Sequence, residues 1–384
     1  MADVIANFMA DSERAPVAPL SSTDPVVRAV EKWLAADYVG RHAPLVVACS
    51  GGADSLALAA AALTATAREG RAAGTDQGAG LRAVAAAVID HGLQQGSAGV
   101  ASDAAEALSA MGFRRVIVRR VTVGAAGGME SAARDARYAA LASIAAEVSA
   151  DSGVDVAVLL AHTADDQAET VLLGLGRGSG PRSIAGMRPW DRPWGRPLLA
   201  IRRQETESAC AAIGVAPWMD PHNVNPEFTR VRLRREVVPL LDEVLSGGVV
   251  PALARTAELM ADDLAALDDI ADRVLAEVLC DDGDLDCLGL AAWPSAVRRR
   301  VLRTWAAQRA GITALTYRHL VALEDRVIQG HSGGAVRLPG GIDAIRAGKR
   351  LHLPVNARDA APDAAPDAAP GGARRSGGMA GWEA

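Results

Sequence analysis

The chain has 384 residues, half of them hydrophobic, and a formal net charge of −6 at pH 7. That length suffices for two domains with buried cores, and an acidic balance taken alone argues against a nucleic-acid-binding protein. We expect neither a secretory signal nor a membrane span, since a basic start followed by an apolar core and a long uninterrupted apolar run are both missing. Four scattered cysteines form no Cys-x-x-Cys pair, which favours a reduced, cytoplasmic protein.

Composition divides the chain into four parts. Residues 1–24 mix polar, Pro and Ala residues, and we expect a flexible extension. A shift in composition separates a first domain (25–245) from a small, mainly helical second domain that ends in a hairpin (246–355). The repeated Ala-Pro-Asp and Gly-rich sequence of residues 356–384 predicts a disordered tail.

Apolar strands alternate with helical segments through the first domain. Asp24 and Pro25 are typical of a helix start, as the N-cap and the first helical residue. Strands are predicted at residues 45–49, 81–89, 114–118 and 154–161, with helices between them. This order indicates the α/β class with a doubly wound, mostly parallel sheet, in which ligands bind at the carboxyl ends of strands.

A glycine turn follows the first of these strands and consists of Ser50, Gly51, Gly52, Ala53, Asp54 and Ser55. The glycines remove side chains where the backbone turns, and the N–H groups of the following helix start suit a phosphate. Asp54 would repel bound phosphates unless a cation lay between them, which predicts Mg²⁺ with a polyphosphate. The turn is not a Walker P-loop, because no Lys follows the glycines. An ordinary Gly-rich strand–helix turn is the alternative.

Polar residues also follow two later strands: Asp90 and His91 the second, and His162, Asp166 and Glu169 the fourth. If a helix starts near Thr163, Asp166 and Glu169 lie on one face, where two carboxylates can hold a metal ion or a cationic amine. Acidic residues at a helix start are the alternative reading, since they complement the helix dipole. That alternative does not explain His162 and Glu169 together.

A basic stretch lies between Arg177 and Glu236, with 11 arginines against six acidic residues. Such a stretch on an acidic chain is the expected footprint of a polyanion. A solvated helix face is the alternative. The arginines are densest between residues 229 and 241, at Arg230, Arg232, Arg234 and Arg235.

These motifs occur in the order seen in the tRNA(Ile)-lysidine synthetases, and the chain resembles that family of the PP-loop (N-type ATP pyrophosphatase) superfamily over roughly residues 40–240. The matching segments are 50–55, 90–93, 133–138, 161–170, 177–180, 186–187 and 196–199. The chain departs from the family at Thr163, where the family often has a second His or an aromatic residue. It also departs at residues 220–223, and at Val231, where the family has an Asn.

The resemblance implies a PP-loop ATP-binding catalytic domain, like the adenine nucleotide alpha hydrolases, followed by a tRNA-binding domain. It implies ligation of L-lysine to C2 of the wobble cytidine of tRNA(Ile) with a CAU anticodon, through an adenylated tRNA formed from ATP. Mg²⁺ would accompany ATP. The resemblance implies no membrane and no required protein partner, and it leaves a homodimer open.

The resemblance also implies a role for each candidate residue. ATP would contact the glycine turn, Asp90 and His91, with Mg²⁺ on Asp54. The ammonium group of lysine would bind Asp166 and Glu169. Catalysis would involve Asp54, Arg137, His162, Asp166 and Glu169, and the tRNA would contact Arg177, Arg230 and Arg234.

Three other functions stay open at this point. A tRNA thiolase of the same superfamily shares the ATP loop but normally uses paired or catalytic cysteines. An amidotransferase-type synthetase would not need the basic stretch at Arg230. A non-catalytic ATP-binding module would not require Asp166 and Glu169 beside the phosphate loop.

Overall fold

The computed structural model describes residues 6–7, 17–72, 82–92, 96–124, 129–178, 180–221, 225–329 and 334–354. The chain divides into two compact units, Met1–Leu264 and Ala265–Ala384. Several sequence predictions lie outside the described residues: the tail 356–384, most of the extension 1–24, and the motif residues Leu93, Ser179, His222 and Asn223.

A mostly parallel sheet forms the centre of the first unit and confirms the predicted fold class. Within the described residues its strands are β1 (Ala6–Asn7), β2 (Leu45–Cys49), β3 (Val84–Asp90), β4 (Val116–Arg120), β5 (Ala157–Leu159), β6 (Trp190–Asp191) and β7 (Trp194–Gly195). The spatial order is β1-β4-β3-β2-β5-β7-β6. The inner strands from β4 to β7 pair in parallel, and the two edge strands pair antiparallel.

Helices cover both faces of this sheet. They are α1 (Pro25–Ala35), α2 (Ala53–Ala72), α3 (Ser97–Met111), α4 (Met129–Ser152), α5 (Ala164–Arg177), α6 (Pro181–Ile184), α7 (Arg203–Ala212), α8 (Thr229–Arg232) and α9 (Val238–Val244). A π-helical turn, Leu233–Val237, joins α8 to α9. Helix α1 starts as predicted, because the Asp24 side chain accepts a hydrogen bond from the Val26 N–H at 2.8 Å.

Strand β2 explains why its sequence shows no alternation. Leu45 and Val47 point into a core shared with α1 and α2, whereas Val46 points into a second core with Leu141 and Ile144 of α4. All five of these side chains are fully buried. A strand that is covered on both faces must be apolar at every position, which is what residues 45–49 show.

The second unit combines helices with a small antiparallel sheet. Its elements are the end of α10 (Val249–Val278), β8 (Leu285–Asp286), α11 (Cys287–Ala291), α12 (Ser295–Ala310), α13 (Tyr317–Gln329), β9 (Ala335–Arg337), β10 (Asp343–Ala347) and β11 (Arg350–His352). The strand order is β8-β11-β10-β9, so the predicted hairpin is part of a larger sheet. Pro294, which lacks an N–H, separates α11 from α12.

Among the described helices, no single one has the length and apolar character needed to cross a membrane. One bent pair, Thr229–Val244 with Val249–Val278, meets the criterion jointly by length and composition, with a 95° bend between its halves.

Candidate active site

A cleft of about 800 Å³ opens where β2, β3 and β5 end. This is the edge of a doubly wound sheet at which ligands are expected. Its lining includes most of the glycine turn together with other predicted site residues: Ser50, Gly52, Ala53, Asp54, Ser55, His91, Arg137, His162, Asp166 and Arg234. The topology therefore brings together residues that lie more than 180 positions apart in the chain.

The glycine turn is held in shape by Ser55. The Ser55 hydroxyl accepts a hydrogen bond from the Ser50 N–H at 3.1 Å and lies 2.9 Å from the Gly52 carbonyl, to which it donates. Gly51 has φ of +81°, in the left-handed region that a side chain would strain. The Ser55 hydroxyl thus holds the glycine turn in shape through these hydrogen bonds. The Ser50 hydroxyl remains a candidate hydrogen-bond donor to a bound phosphate.

Asp54, in the first turn of α2, is fixed by two residues of α7. Its Oδ1 accepts a short hydrogen bond from the Thr206 hydroxyl, and its Oδ2 lies 3.3 Å from Nη2 of Arg203. Burial raises the pKa of Asp54, although Arg203 and Thr206 oppose that shift. The carboxylate is therefore held at the cleft by a cation that belongs to the protein.

Helix α5 begins at Thr163, as the sequence predicts, and Asp166 closes its capping box. Asp166 Oδ2 accepts the Thr163 N–H at 2.8 Å, and the Thr163 hydroxyl accepts the Asp166 N–H at 3.4 Å. Asp166 Oδ1 lies 3.1 Å from Nη2 of Arg203 and 3.4 Å from Nη2 of Arg234. Burial alone would raise the pKa of Asp166, but Arg203, the Thr163 N–H, His162 and Arg234 together lower it.

Glu169 lies one turn further along α5 and is almost completely buried. Its Oε1 accepts a hydrogen bond from Nε of Arg234 at 2.7 Å. Its Oε2 lies 3.7 Å from Nη1 of Arg230 and has no hydrogen-bond partner among the described residues. Burial raises the pKa of Glu169, while Arg234 opposes the shift. Arg230 and Arg234, both predicted to contact RNA, therefore reach the acidic cluster of Asp166 and Glu169 in this structure.

Four further buried nitrogen atoms at the cleft have no hydrogen-bond partner within the described chain: His91 Nδ1, His162 Nδ1, Arg137 Nε and Arg203 Nε. Burial lowers the pKa of His162 to about 3, and it also lowers the pKa of His91 and of Arg137. Both imidazoles are thus neutral at pH 7. Buried polar atoms normally have partners, so this group indicates a polar ligand.

Five predicted site residues lie outside the cleft lining: Gly51, Asp90, Glu169, Arg177 and Arg230. The Asp90 carboxylate accepts the Gly92 N–H at 2.9 Å and lies 3.7 Å from Nε of Arg120, so it stabilises its own turn. It remains close enough to His91 for its charge to oppose the lowering of that imidazole's pKa. Arg177 is exposed in the last turn of α5.

Sequence reasoning missed four residues at or beside the cleft: Arg203, Thr206, Trp218 and Met219. Of these, only Arg203 carried a usable signal, since it belongs to the basic stretch between Arg177 and Glu236. The contacts of the other three depend on how α7 and the loop of residues 214–221 pack against the glycine turn.

The cysteines nearest the glycine turn lack the character of nucleophiles. Cys49 and Cys210 are buried. Burial raises the pKa of the Cys49 thiol, and it raises that of Cys210 to about 11. A reactive cysteine requires a thiolate, which such a pKa disfavours.

The described residues contain no group of three or more His, Cys, Asp or Glu side chains arranged to hold a metal ion. Asp54 Oδ2 and Asp166 Oδ1 nevertheless converge on one atom, Nη2 of Arg203. Mg²⁺ is commonly held by one or two carboxylates together with substrate phosphates. The carboxylates of Asp54 and Asp166, which share the Arg203 guanidinium beside the glycine turn, match this combination of Mg²⁺ ligands.

Comparisons with known proteins agree with the two units. Residues 24–241 match the PP-loop domain family, and residues 285–352 match the TilS substrate binding domain family. A tRNA(Ile)-lysidine synthase of Rhodococcus erythropolis is 49% identical over 319 residues, which cover 83% of this chain and 90% of that protein. One from Nocardia farcinica is 48% identical over 338 residues, covering 87% and 98%. A solved U34-tRNA thiolase from Methanococcus maripaludis shares 16% identity over 62% of this chain and 78% of its own, with a TM-score of 0.45. That likeness is too weak to carry an argument.

Proposed function

The chain belongs to the tRNA(Ile)-lysidine synthase family, and we propose that it ligates L-lysine to C2 of the wobble cytidine of tRNA(Ile) with a CAU anticodon. It is an ATP-using enzyme that modifies tRNA. In the proposed first step the C2 oxygen attacks the α-phosphorus of ATP and pyrophosphate leaves. In the second step the ε-amine of lysine attacks C2, AMP leaves with the oxygen, and the amine loses a proton.

One shared contact supports this proposal more than any other. Nη2 of Arg203 lies within 3.3 Å of Asp54, which belongs to the glycine turn, and within 3.1 Å of Asp166, which belongs to the acidic cluster. The glycine turn, which suits a phosphate, and the acidic cluster, which suits an amine, are therefore neighbours at one cleft. A ligase that joins a phosphate-activated oxygen to an amine needs this juxtaposition.

Charge neutralisation is the main task of the protein in the first step. The guanidinium group of Arg137 and the N–H groups of the glycine turn other than that of Ser50 are candidates for it, whereas Arg203 already pairs with Asp54 and Asp166. Mg²⁺, when bound at Asp54, would supply further positive charge to the phosphates. The unpartnered Nε of Arg137 supports a direct contact with a ligand.

Asp166 and Glu169 suit the ammonium group of lysine. Among the described residues, Glu169 Oε2 is a buried acceptor without a hydrogen-bond donor, since Nη1 of Arg230 lies 3.7 Å away, and an ammonium group has three donors to offer. We assign the removal of the amine proton to Glu169, because its pKa is raised. His162, with a pKa of about 3, is too weak a base for this step, and we assign it a hydrogen-bonding role.

The test uses purified enzyme, ATP, Mg²⁺, radiolabelled lysine and a tRNA(Ile) transcript with a CAU anticodon. We expect label in the RNA, and none when the wobble cytidine is replaced by uridine. Absence of label under conditions in which a known lysidine synthetase works would overturn the proposed function. Equal labelling of the two transcripts would overturn the CAU specificity.

Asp54→Asn tests the metal role separately, because the amide keeps the shape but loses the charge. We expect loss of tRNA-dependent pyrophosphate release, together with loss of Mn²⁺ binding in the presence of an ATP analogue. Asp151→Asn, an exposed carboxylate paired with Arg115, is the matched control. Normal Mn²⁺ binding by Asp54→Asn would refute the assignment of the metal to Asp54.

A further inference from the structure

One wall of the cleft has no role in the reaction outlined above: the loop of residues 217–221. Its Trp218 N–H donates a hydrogen bond to the Gly51 carbonyl at 2.9 Å. A Cβ placed on Gly51 would lie 3.8 Å from the Trp218 Cβ. The backbone and Cβ of Trp218 are therefore anchored directly beside the loop where phosphates are expected.

Large apolar side chains on this wall remain accessible. Trp218 is 36% exposed and Met219 is 81% exposed, whereas Trp33 in the core of the same unit is 4% exposed. Both residues line the cleft rather than a remote surface. An accessible aromatic ring next to a flexible thioether is a suitable surface for a flat ring ligand.

The cleft offers a second apolar surface on other elements. It is formed by Ala87 and Ile89 of β3, Leu141 of α4 and Leu160 beyond β5, all buried except the half-buried Ile89, so it is the floor of the cleft. This surface belongs to the sheet and to a helix that packs on it, so it suits the adenine of a small, freely diffusing nucleotide. A base that stays attached to an RNA must enter from solvent, and it can reach an exposed wall more easily than the floor.

We propose that Trp218, with Met219 beside it, is the stacking surface for the pyrimidine that is modified, extruded from the RNA loop. This assignment rests on the proposed function, in which the oxygen of that base must reach the α-phosphate. Stacking on an aromatic ring is a common way for proteins to hold an unstacked base. The hydrogen bond from Trp218 to Gly51 then sets the distance between the base and the phosphate loop.

The test is a double-mutant cycle of tRNA binding, measured with full-length enzyme in the presence of a non-hydrolysable ATP analogue. Two tRNA(Ile) transcripts are compared, one intact and one with an abasic nucleotide at the wobble position. Wild-type enzyme is expected to prefer the intact transcript by about 5- to 150-fold, the range that corresponds to one base–aromatic stack. Trp218→Ala should bind the two transcripts equally, and Trp218→Phe, the matched control, should keep most of the preference.

Three results would overturn the assignment. Trp218→Ala could keep the wild-type preference for the intact transcript. It could weaken the binding of both transcripts by the same factor, or it could lose affinity for the ATP analogue instead. The backbone hydrogen bond to Gly51 survives in this variant, so the glycine turn should remain intact. If wild-type enzyme transfers no lysine, the proposed function fails whatever the cycle shows. If it transfers lysine and the cycle shows no coupling, only the role of Trp218 fails.

Discussion

Arg203→Met removes the cation that Asp54 and Asp166 share and keeps a side chain of similar length. The Arg203 N–H, which donates to Asp165 at 2.9 Å, stays in place, so the start of α7 is preserved. Asp166 keeps the Thr163 N–H and Arg234. Asp54 keeps only the hydroxyl of Thr206 among the contacts described above. The perturbation therefore falls mainly on Asp54, which loses its nearest cation.

The expected cost follows from burial. Removing one partner of a fully buried ion pair costs about 3–5 kcal/mol, whereas an exposed pair contributes about 0–1 kcal/mol. The side chains of Arg203, Asp54 and Asp166 are 26%, 21% and 17% exposed, between these limits. We expect the free energy of unfolding to fall by about 1–2 kcal/mol at pH 7. Since burial already raises the pKa of Asp54, protonation relieves the cost, and the deficit should shrink as the pH falls.

Urea unfolding at pH 7 and pH 5 measures this deficit. The double variant Asp54→Asn/Arg203→Met should recover much of the loss, because it has no unpaired carboxylate at position 54. Arg202→Met is the matched control, since Arg202 pairs with Asp165 at the same helix start but is 42% exposed. Equal stability of Arg203→Met and wild type at pH 7 would refute the reasoning. So would a double variant as unstable as Arg203→Met.

Two further predictions concern helix α5 and the strand end before it. Glu169→Gln keeps the shape but removes the charge, so the KM for lysine should rise about 10- to 100-fold while the KM for ATP stays within about twofold, as expected for one charged hydrogen bond. Equal increases for both substrates would contradict a lysine-specific role. For His162, burial lowers the pKa from 6.5 to about 3, so only the unfolded chain gains a proton between these values. Stability is therefore full above about pH 6.5 and should fall by about 1–2 kcal/mol on acidification to pH 5. His162→Asn should show a shallower pH dependence, and an unchanged slope would rule out His162 as the source.

Features that depend on local chemistry could be predicted from the sequence. Strand β2 was recognisable because both of its faces are covered, and the start of α5 because Thr163 and Asp166 form a capping box within one turn. The boundaries of other elements were less accurate. Strand β5, for example, spans only Ala157–Leu159 of the predicted residues 154–161, the part of the segment that pairs with β2.

Contacts between distant segments could not be predicted in this way. Arg203 meets Asp54 about 150 positions away, and Arg234 meets Glu169 across 65 positions. The basic stretch was recognised only as a polyanion footprint, although two of its arginines pair with a buried carboxylate in this structure. The packing of α7 against α2 and of the π-helical turn against α5 determines which charges meet.

The π-helical turn at Leu233–Val237 makes the chain sensitive to length at this point. A π turn closes its hydrogen bonds over one residue more than an α turn. Deleting one residue there would turn the segment into a regular α-helix, and α9 would keep its present orientation relative to α8, because the wider π turn has absorbed the additional residue. Val238 of α9 would then still pack beside Ala164 and Ala168 of α5. Arg234 sits inside the turn, so the deletion would redirect its side chain away from the acidic cluster while the flanking helices stay in place.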